Sequence, residues 1–285
     1  METIRSGSFR EPNTAAPEKG EHVTKDVAGE KMNAEIIAVG TELLHGDILN
    51  SNAQYISQKM ATIGVDVHYH TVVGDNPSRI RDVFRVAIGR VDLILVTGGL
   101  GPTKDDITKE MLAQELGLPM IFCEESVERM EERFRQRGRM MTKNNLRQAY
   151  FPEGAEVLMN LNGTADACRL EYEGKIFYLL PGPPNENRPI VDDMILPQLR
   201  KNNKQTVVHK KIQVFELGES VSETMLMDLI DAQSNPTIAP YAGQGRLIYR
   251  ITAKADSQEL AEQMIAPVTE EILKRLGKHA KLLEE

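Results

Sequence analysis

The chain has 285 residues, of which 41% are apolar and 27% charged, with a formal net charge of −8; this suffices for one large or two ordinary domains. The acidic balance argues against general nucleic-acid binding. No apolar run approaches the roughly 18 residues of a membrane span and no secretory signal opens the chain, so a cytoplasmic protein without membrane contact is expected.

Residues 1–31 carry many Glu, Lys, Gly, Pro, Ser and Thr without an apolar period and read as a disordered tail, with Met32 able to act as an internal start. From there strand and helix patterns alternate. Strands are expected at 35–39, 65–73, 93–96 and 176–180, and helices at 52–63, 79–89, 105–116, 124–137, 142–149 and 186–200. Val65, Val67, Tyr69 and Thr71 share one strand face. Such βαβ alternation predicts a mostly parallel sheet with helices on both sides and ligands beyond the carboxyl ends of its strands. The polar run Lys201-Asn202-Asn203-Lys204-Gln205 ends the pattern, separating a domain at 32–202 from a second at 205–282. The second reads strand 206–215, helix 220–231, strands 237–241 and 246–255, and helix 257–276, a small α+β unit. Ser220 and Glu223 read as a capping box at its first helix.

The densest motif is Leu93-Ile94-Leu95-Val96-Thr97-Gly98-Gly99-Leu100-Gly101-Pro102-Thr103-Lys104-Asp105-Asp106. A buried strand runs into a glycine-rich turn, where backbone N–H groups can approach a phosphate without a Cβ in the way. A helix starting at Asp105 would aim its N-terminus at the same anion. Carboxylates beside phosphate repel it unless a cation intervenes or one is protonated, so Asp105 and Asp106 are candidate metal ligands. They could equally cap a helix. Other loops have the same character: Gly40-Thr41-Glu42 with Asn52, Gly74-Asp75-Asn76, Gly163-Thr164, and Pro181-Gly182-Pro183-Pro184 with Glu186. In a parallel sheet they would converge on one rim, although the proline run could also simply stop a strand and start a helix. Cys123 and Cys168 read as reduced thiols, and His68 and His70 as an exposed pair rather than metal ligands.

Several of these segments resemble the CinA (competence/damage-inducible protein A) family: Ala34-Glu35-Ile36-Ile37-Ala38-Val39-Gly40-Thr41-Glu42-Leu43-Leu44, Thr71 to Asn76, Thr97 to Asp106, Leu180 to Pro184, and Asn235-Pro236-Thr237-Ile238-Ala239-Pro240-Tyr241-Ala242. The resemblance runs from about 33 to 280. It implies a three-layer molybdopterin-binding-like first domain of the MoaB/MogA type and a KH-like second domain. It also implies metal-dependent ADP-ribose pyrophosphatase activity, giving AMP and ribose 5-phosphate. The C-terminal nicotinamide mononucleotide deamidase domain that many members carry is missing from a chain stopping at Glu285, so deamidation is not expected. Asn185 and Asn187 depart from the family's Pro-Gly-Pro-Pro-Ser-Glu-Met. Asp166-Ala167 stands where Pro-Gly is usual, adding a negative charge near the expected ligand.

On this reading Gly98, Gly99 and Gly101 hold a diphosphate with Thr103 and Lys104 assisting. Asp105 and Asp106, with Asp75, position Mg²⁺ or a similar divalent cation. Lys104, Asp105, Asp106 and Glu186 form the catalytic set, with Glu186 a candidate general base. Gly40, Thr41, Glu42, Asn52, Asp75, Gly163, Thr164, Pro181, Gly182 and Pro183 complete the substrate contacts. The partner is a small-molecule nucleotide. A pterin- or nucleotide-binding module without turnover is the alternative. RNA is disfavoured: residues 205–285 hold nine Lys/Arg against twelve Asp/Glu, and Gly243-Gln244-Gly245-Arg246 lacks the G-x-x-G spacing. The second domain is expected to be structural or to form a homodimer, with Tyr241 placed to approach a ligand or simply to pack.

Overall fold

A computed structural model describes residues 32–202, 206–243 and 246–283. The expected tail, the last three residues of the polar boundary run and the middle of the Gly243–Arg246 turn lie outside the described residues.

Apolar strand runs form the centre of the first domain. β1 (Asn33–Val39) leads through a short helix α1 (Thr41–His45) to α2 (Ser51–Thr62), β2 (Asp66–Val73), α3 (Pro77–Ile88), β3 (Leu93–Thr97) and α4 (Thr108–Leu116). Then come β4 (Met120–Phe122), α5 (Glu124–Gln136), a 3₁₀ helix (Lys143–Ala149), β5 (Tyr150–Pro152), β6 (Glu156–Leu158), β7 (Ala167–Tyr172) and β8 (Lys175–Leu180). A last helix runs as α6 (Pro184–Ile190), a π-helical stretch (Val191–Ile195) and α7 (Leu196–Asn202). Its prolines Pro189 and Pro197 remove N–H donors on either side of the π stretch, where the regular ladder gives way.

The six-stranded sheet has the order β2-β1-β3-β8-β7-β6. The first four strands are parallel and the last two antiparallel. The two-residue period of β1 sends Ala34 and Ile36 into one apolar core, with α2 and the last helix. Ile37 and Val39 enter the other, with α3 and α4. This is the three-layer, mostly parallel architecture expected.

Several expectations fail locally. The helix expected from 105 begins at Thr108, because the Asp106 carboxylate is engaged in a turn with Thr103 instead. The 142–149 helix is 3₁₀. The strands β4 to β7 were not anticipated; three of them have only three residues each. β2 is an edge strand, and its Tyr69 is exposed, lying under the Arg90 guanidinium.

The second domain is an antiparallel sheet of order β10-β11-β9-β12, built from β9 (Thr206–Val214), β10 (Thr237–Gly243), β11 (Arg246–Ala255) and the unanticipated β12 (Ala280–Leu283). Helices α8 (Glu219–Asp231) and α9 (Gln258–Leu276) supply the rest of its core around Tyr249. The α8 helix starts one residue before the expected cap. Gly218 is its N-cap, and the Ser220 carbonyl instead accepts the Thr224 hydroxyl. Lys254 of β11 reaches the first domain, its Nζ lying 2.7 and 3.0 Å from the carboxylate oxygens of Asp66.

Candidate functional site

Four parallel strands end at one rim, and their chain direction decides what meets there. Gly40 follows β1, Gly74 follows β2, Gly98 follows β3 and Pro181 follows β8. The 160–165 loop enters the antiparallel β7 and reaches the same rim from the opposite direction. Together they wall a cleft of about 610 Å³, a size ordinary for a small-molecule site.

The β3 turn is built by two glycines that no other residue replaces without strain. Gly98 has φ +102, and a Cβ there would stand 2.1 Å from the Val39 carbonyl oxygen. Gly99 has φ +68, and its Cβ would stand 2.2 Å from Thr108 Oγ1. The Gly98 N–H continues the sheet by donating to Leu180 O, while the N–H groups from Gly99 to Gly101 have no backbone acceptor among the described residues. Thr108 closes the turn, its hydroxyl donating to Gly98 O (2.8 Å) and its N–H to Gly99 O (3.2 Å). Thr103 donates from N (2.9 Å) and Oγ1 (2.6 Å) to Asp106 Oδ2, so one oxygen of that carboxylate folds the loop. Asp105 is exposed on the cleft wall.

Most of the expected site residues meet in this cleft: Gly40, Glu42, Asn52, Asp75, Gly98, Gly99, Gly101, Thr103, Asp105, Asp106, Thr164, Pro181, Gly182, Pro183 and Glu186 line it. Lys104, Thr41 and Gly163 do not. Lys104 is exposed on the loop outside the lining. Thr41 donates from N and Oγ1 to Asp75 Oδ2 (2.9 and 2.8 Å), tying the β1 and β2 loops together. Gly163 donates to Asn160 Oδ1 behind the wall. Asn160 also donates to Glu186 Oε2 (2.7 Å), which orients that carboxylate. Tyr241 is exposed and away from the lining, and His70 pairs with Ser57.

The floor is an amide–hydroxyl network that sequence reasoning did not find. Asn52 Nδ2 donates to Gly182 O (2.7 Å) and Thr97 Oγ1 (3.0 Å). Asn187 Nδ2, fully buried, donates to Pro181 O (3.0 Å) and the same Thr97 Oγ1 (3.1 Å). Because the carbonyls accept only, both amides are oriented without ambiguity. The network locks β3 to the proline loop, which gives Asn187 a structural role at its departure from the family pattern. Asp166 does not line the cleft: it is 5% exposed, bonded to Ser126 Oγ and to the Asn160 N–H, and paired with Arg129, so its charge is compensated.

Charge is the dominant chemical property of the site. Five carboxylates line the cleft, from Glu42, Asp75, Asp105, Asp106 and Glu186, and no Lys or Arg is among the lining residues. Behind the wall lies Lys109, 3% exposed, donating to Gln148 O (2.7 Å) and standing 4.1 Å from the Phe151 ring centroid. Burial pushes its ammonium down to about 8 and pushes the nearby buried Cys168 thiol up to about 12.

The family described as "Probable molybdopterin binding domain" matches residues 35–201, and the "Damage-inducible protein CinA KH domain" family matches 209–280. The crystal structure of the protein CinA from Thermoplasma acidophilum is similar with a TM-score of 0.54 at 33% identity, covering 58% of this chain and 96% of that one. The chain belongs to the CinA family. CinA-like proteins of Dictyoglomus turgidum and Kosmotoga olearia are 48% and 46% identical over 246 and 248 residues, covering 86% and 87% of this chain. The chain spans about 60% of the length of these curated CinA relatives. Among the described residues no helix is long and apolar enough to cross a membrane.

Proposed function

We propose that the cleft binds a dinucleotide-like diphosphate together with a divalent cation and hydrolyses it, ADP-ribose giving AMP and ribose 5-phosphate. The observation that carries this reading is the lining itself: glycine-loop N–H groups suited to phosphate, beside five carboxylates and no lining cation. Two unit charges about 5 Å apart repel by roughly 3 kcal/mol at an effective dielectric near 20. A bare diphosphate would meet that term several times over. Among the described residues no three His, Cys, Asp or Glu side chains are grouped to hold a metal ion, so the cation would be of the sparse Mg²⁺ type, held by one or two carboxylates plus the substrate phosphates. Asp105 and the Oδ1 atom of Asp106 would hold the cation. When bound, it neutralises phosphate charge and polarises a phosphoryl oxygen.

The remaining work falls to the chain's own groups. The N–H groups of Gly99 to Gly101 orient the diphosphate, and Lys104 offsets its charge from outside the wall. Glu186, steadied by Asn160, accepts a proton from the attacking water. The water oxygen bonds to one phosphorus, the P–O–P bridge breaks, and the bridging oxygen leaves with the other phosphate. Thr164 and the proline loop meet the distal part of the ligand. Cytoplasmic location and a homodimer formed through the second domain belong to the same proposal.

Pterin or nucleotide binding without turnover is the second reading. It is supported by the engagement of Asp106 Oδ2 with Thr103 and by the molybdopterin-binding description of the matched family. The discriminating experiment is product analysis of ADP-ribose incubations across Mg²⁺, Mn²⁺, Co²⁺ and Zn²⁺, with D105N and D106N beside the wild type. The proposal expects metal-dependent AMP, reduced at least about 100-fold in D105N. Ligand binding with no AMP under any metal would favour the second reading.

A further inference from the structure

Lys109 is costly to place where it is, and neither the fold nor the proposed chemistry accounts for it. A buried ammonium is expected to have a carboxylate partner. Lys109 has no ion pair among the described residues. Its contacts are one carbonyl, Gln148 O at 2.7 Å, and one aromatic face, Phe151 at 4.1 Å. The charged and titratable groups in its field come from every neighbouring element: Glu110 on α4, Arg147 on the 3₁₀ helix, Cys168 on β7, and Asp166 just before β7. None neutralises it directly. Arg147 pairs with Glu110, Asp166 pairs with Arg129, and the Cys168 thiol is held protonated by burial.

The contacts made by this ammonium lead to the cleft. Gln148 is buried and lines the wall; its Nε2 donates to Leu100 O (3.5 Å) in the glycine loop, and its Oε1 accepts from Asn145 Nδ2 (3.3 Å). The residue before Lys109, Thr108, closes the same loop through Gly98 O and Gly99 O. Arg147 donates to the Thr103 and Asp106 carbonyls from the other side. The loop is therefore held from behind by α4 and the 3₁₀ helix, and Lys109 joins these two. We infer that Lys109 is a positioning residue of the cleft, holding Gln148 and through it the glycine loop in the arrangement that an anionic ligand meets. A charge-assisted bond is roughly twice as strong as a neutral one. The hold therefore weakens when the ammonium loses its proton, and the cleft loses the positive field behind its wall.

The inference rests on the proposed anionic ligand only for its affinity readout. Its primary test uses the free protein. Amide hydrogen exchange of Gly98 to Gly101 and of residues 145–149, corrected for intrinsic rates, is followed from pH 6.5 to 9.5 in wild type and in K109M. Methionine replaces a buried charge with an apolar chain of similar length, a change that is often neutral or stabilising. The expected result is a loop whose protection falls several-fold through about pH 8 in wild type and is low and flat in K109M. Unchanged protection in K109M, or parallel pH profiles, overturns the inference. Should K109M not melt cooperatively, the wild-type profile decides alone, and a flat profile overturns. In the second readout, ADP-ribose affinity with Mg²⁺ is expected to fall about tenfold in K109M with the melting temperature retained. If wild type does not bind ADP-ribose, the nucleotide reading fails while the exchange data still decide the role of Lys109. If it binds equally well in both proteins, the nucleotide reading stands and the positioning role is overturned.

Discussion

Lys109 and Cys168 bias stability in opposite directions, and their pH windows separate them. The Lys109 ammonium, ordinarily near 10.5, sits near 8 in the folded chain. Between those values the unfolded chain holds a proton that the folded chain has released, so stability rises with pH. The Cys168 thiol moves from 9.0 up to about 12, so across that window the folded chain holds the extra proton and stability falls as pH rises. The lysine acts alone from about pH 8 to 9. Melting curves should therefore show wild type gaining on K109M over that interval, with K109M at least as stable below it. Parallel curves would mean that the buried ammonium is not desolvated. Lys109 is not legible in the sequence, because a lysine near the start of a helix pattern looks like any solvated one. Only the packing of Phe151 and Gln148 against it makes it special. The Asn52–Thr97–Asn187 floor is hidden for the same reason: its three side chains lie on separate elements and meet only after folding.

Elements with continuous apolar runs are readable, and those that depend on tertiary pairing are not. β1, β3 and β8 announce themselves through Ile36–Val39, Leu93–Val96 and Phe177–Leu180, because a strand buried on both faces needs no alternation. β6 is a three-residue edge strand, and β7 inside it carries Arg169 and Glu171 among six residues, so neither gives much periodic signal. The rim loops are legible because glycine and proline, placed directly after an apolar strand, end it and turn the chain. The onset of α4 is misleading because Asp106, a good helix-capping residue, instead accepts from Thr103. The glycine turn before α4 is the element most sensitive to substitution. Gly98→Ala would face both a φ of +102 and the Val39 oxygen at 2.1 Å, and should cost roughly 2–4 kcal/mol. Gly46→Ala has φ +78 but open space around it, and should cost about 1 kcal/mol. Chemical denaturation of both variants checks the contrast; equal losses would show that the close approach to Val39 does not matter.

At the scale of the molecule, the six-stranded and the four-stranded sheet, different in character, organise the two domains. The parallel one gathers the ends of β1, β2, β3 and β8 into one acidic cleft, and the antiparallel one attaches through Lys254 and Asp66. The net charge of −8 is a property of the whole sequence, but its concentration in the cleft is a product of the fold. That concentration carries the proposal that the cleft accepts a diphosphate only in company with a divalent cation. The most direct test is calorimetric titration of the wild-type protein with ADP-ribose, in EDTA and then in excess Mg²⁺, using conditions or times in which turnover is negligible. No measurable binding is expected in EDTA, and saturable binding with Mg²⁺, weakened at least about tenfold in D105N. Equal affinity with and without the cation would contradict the proposal.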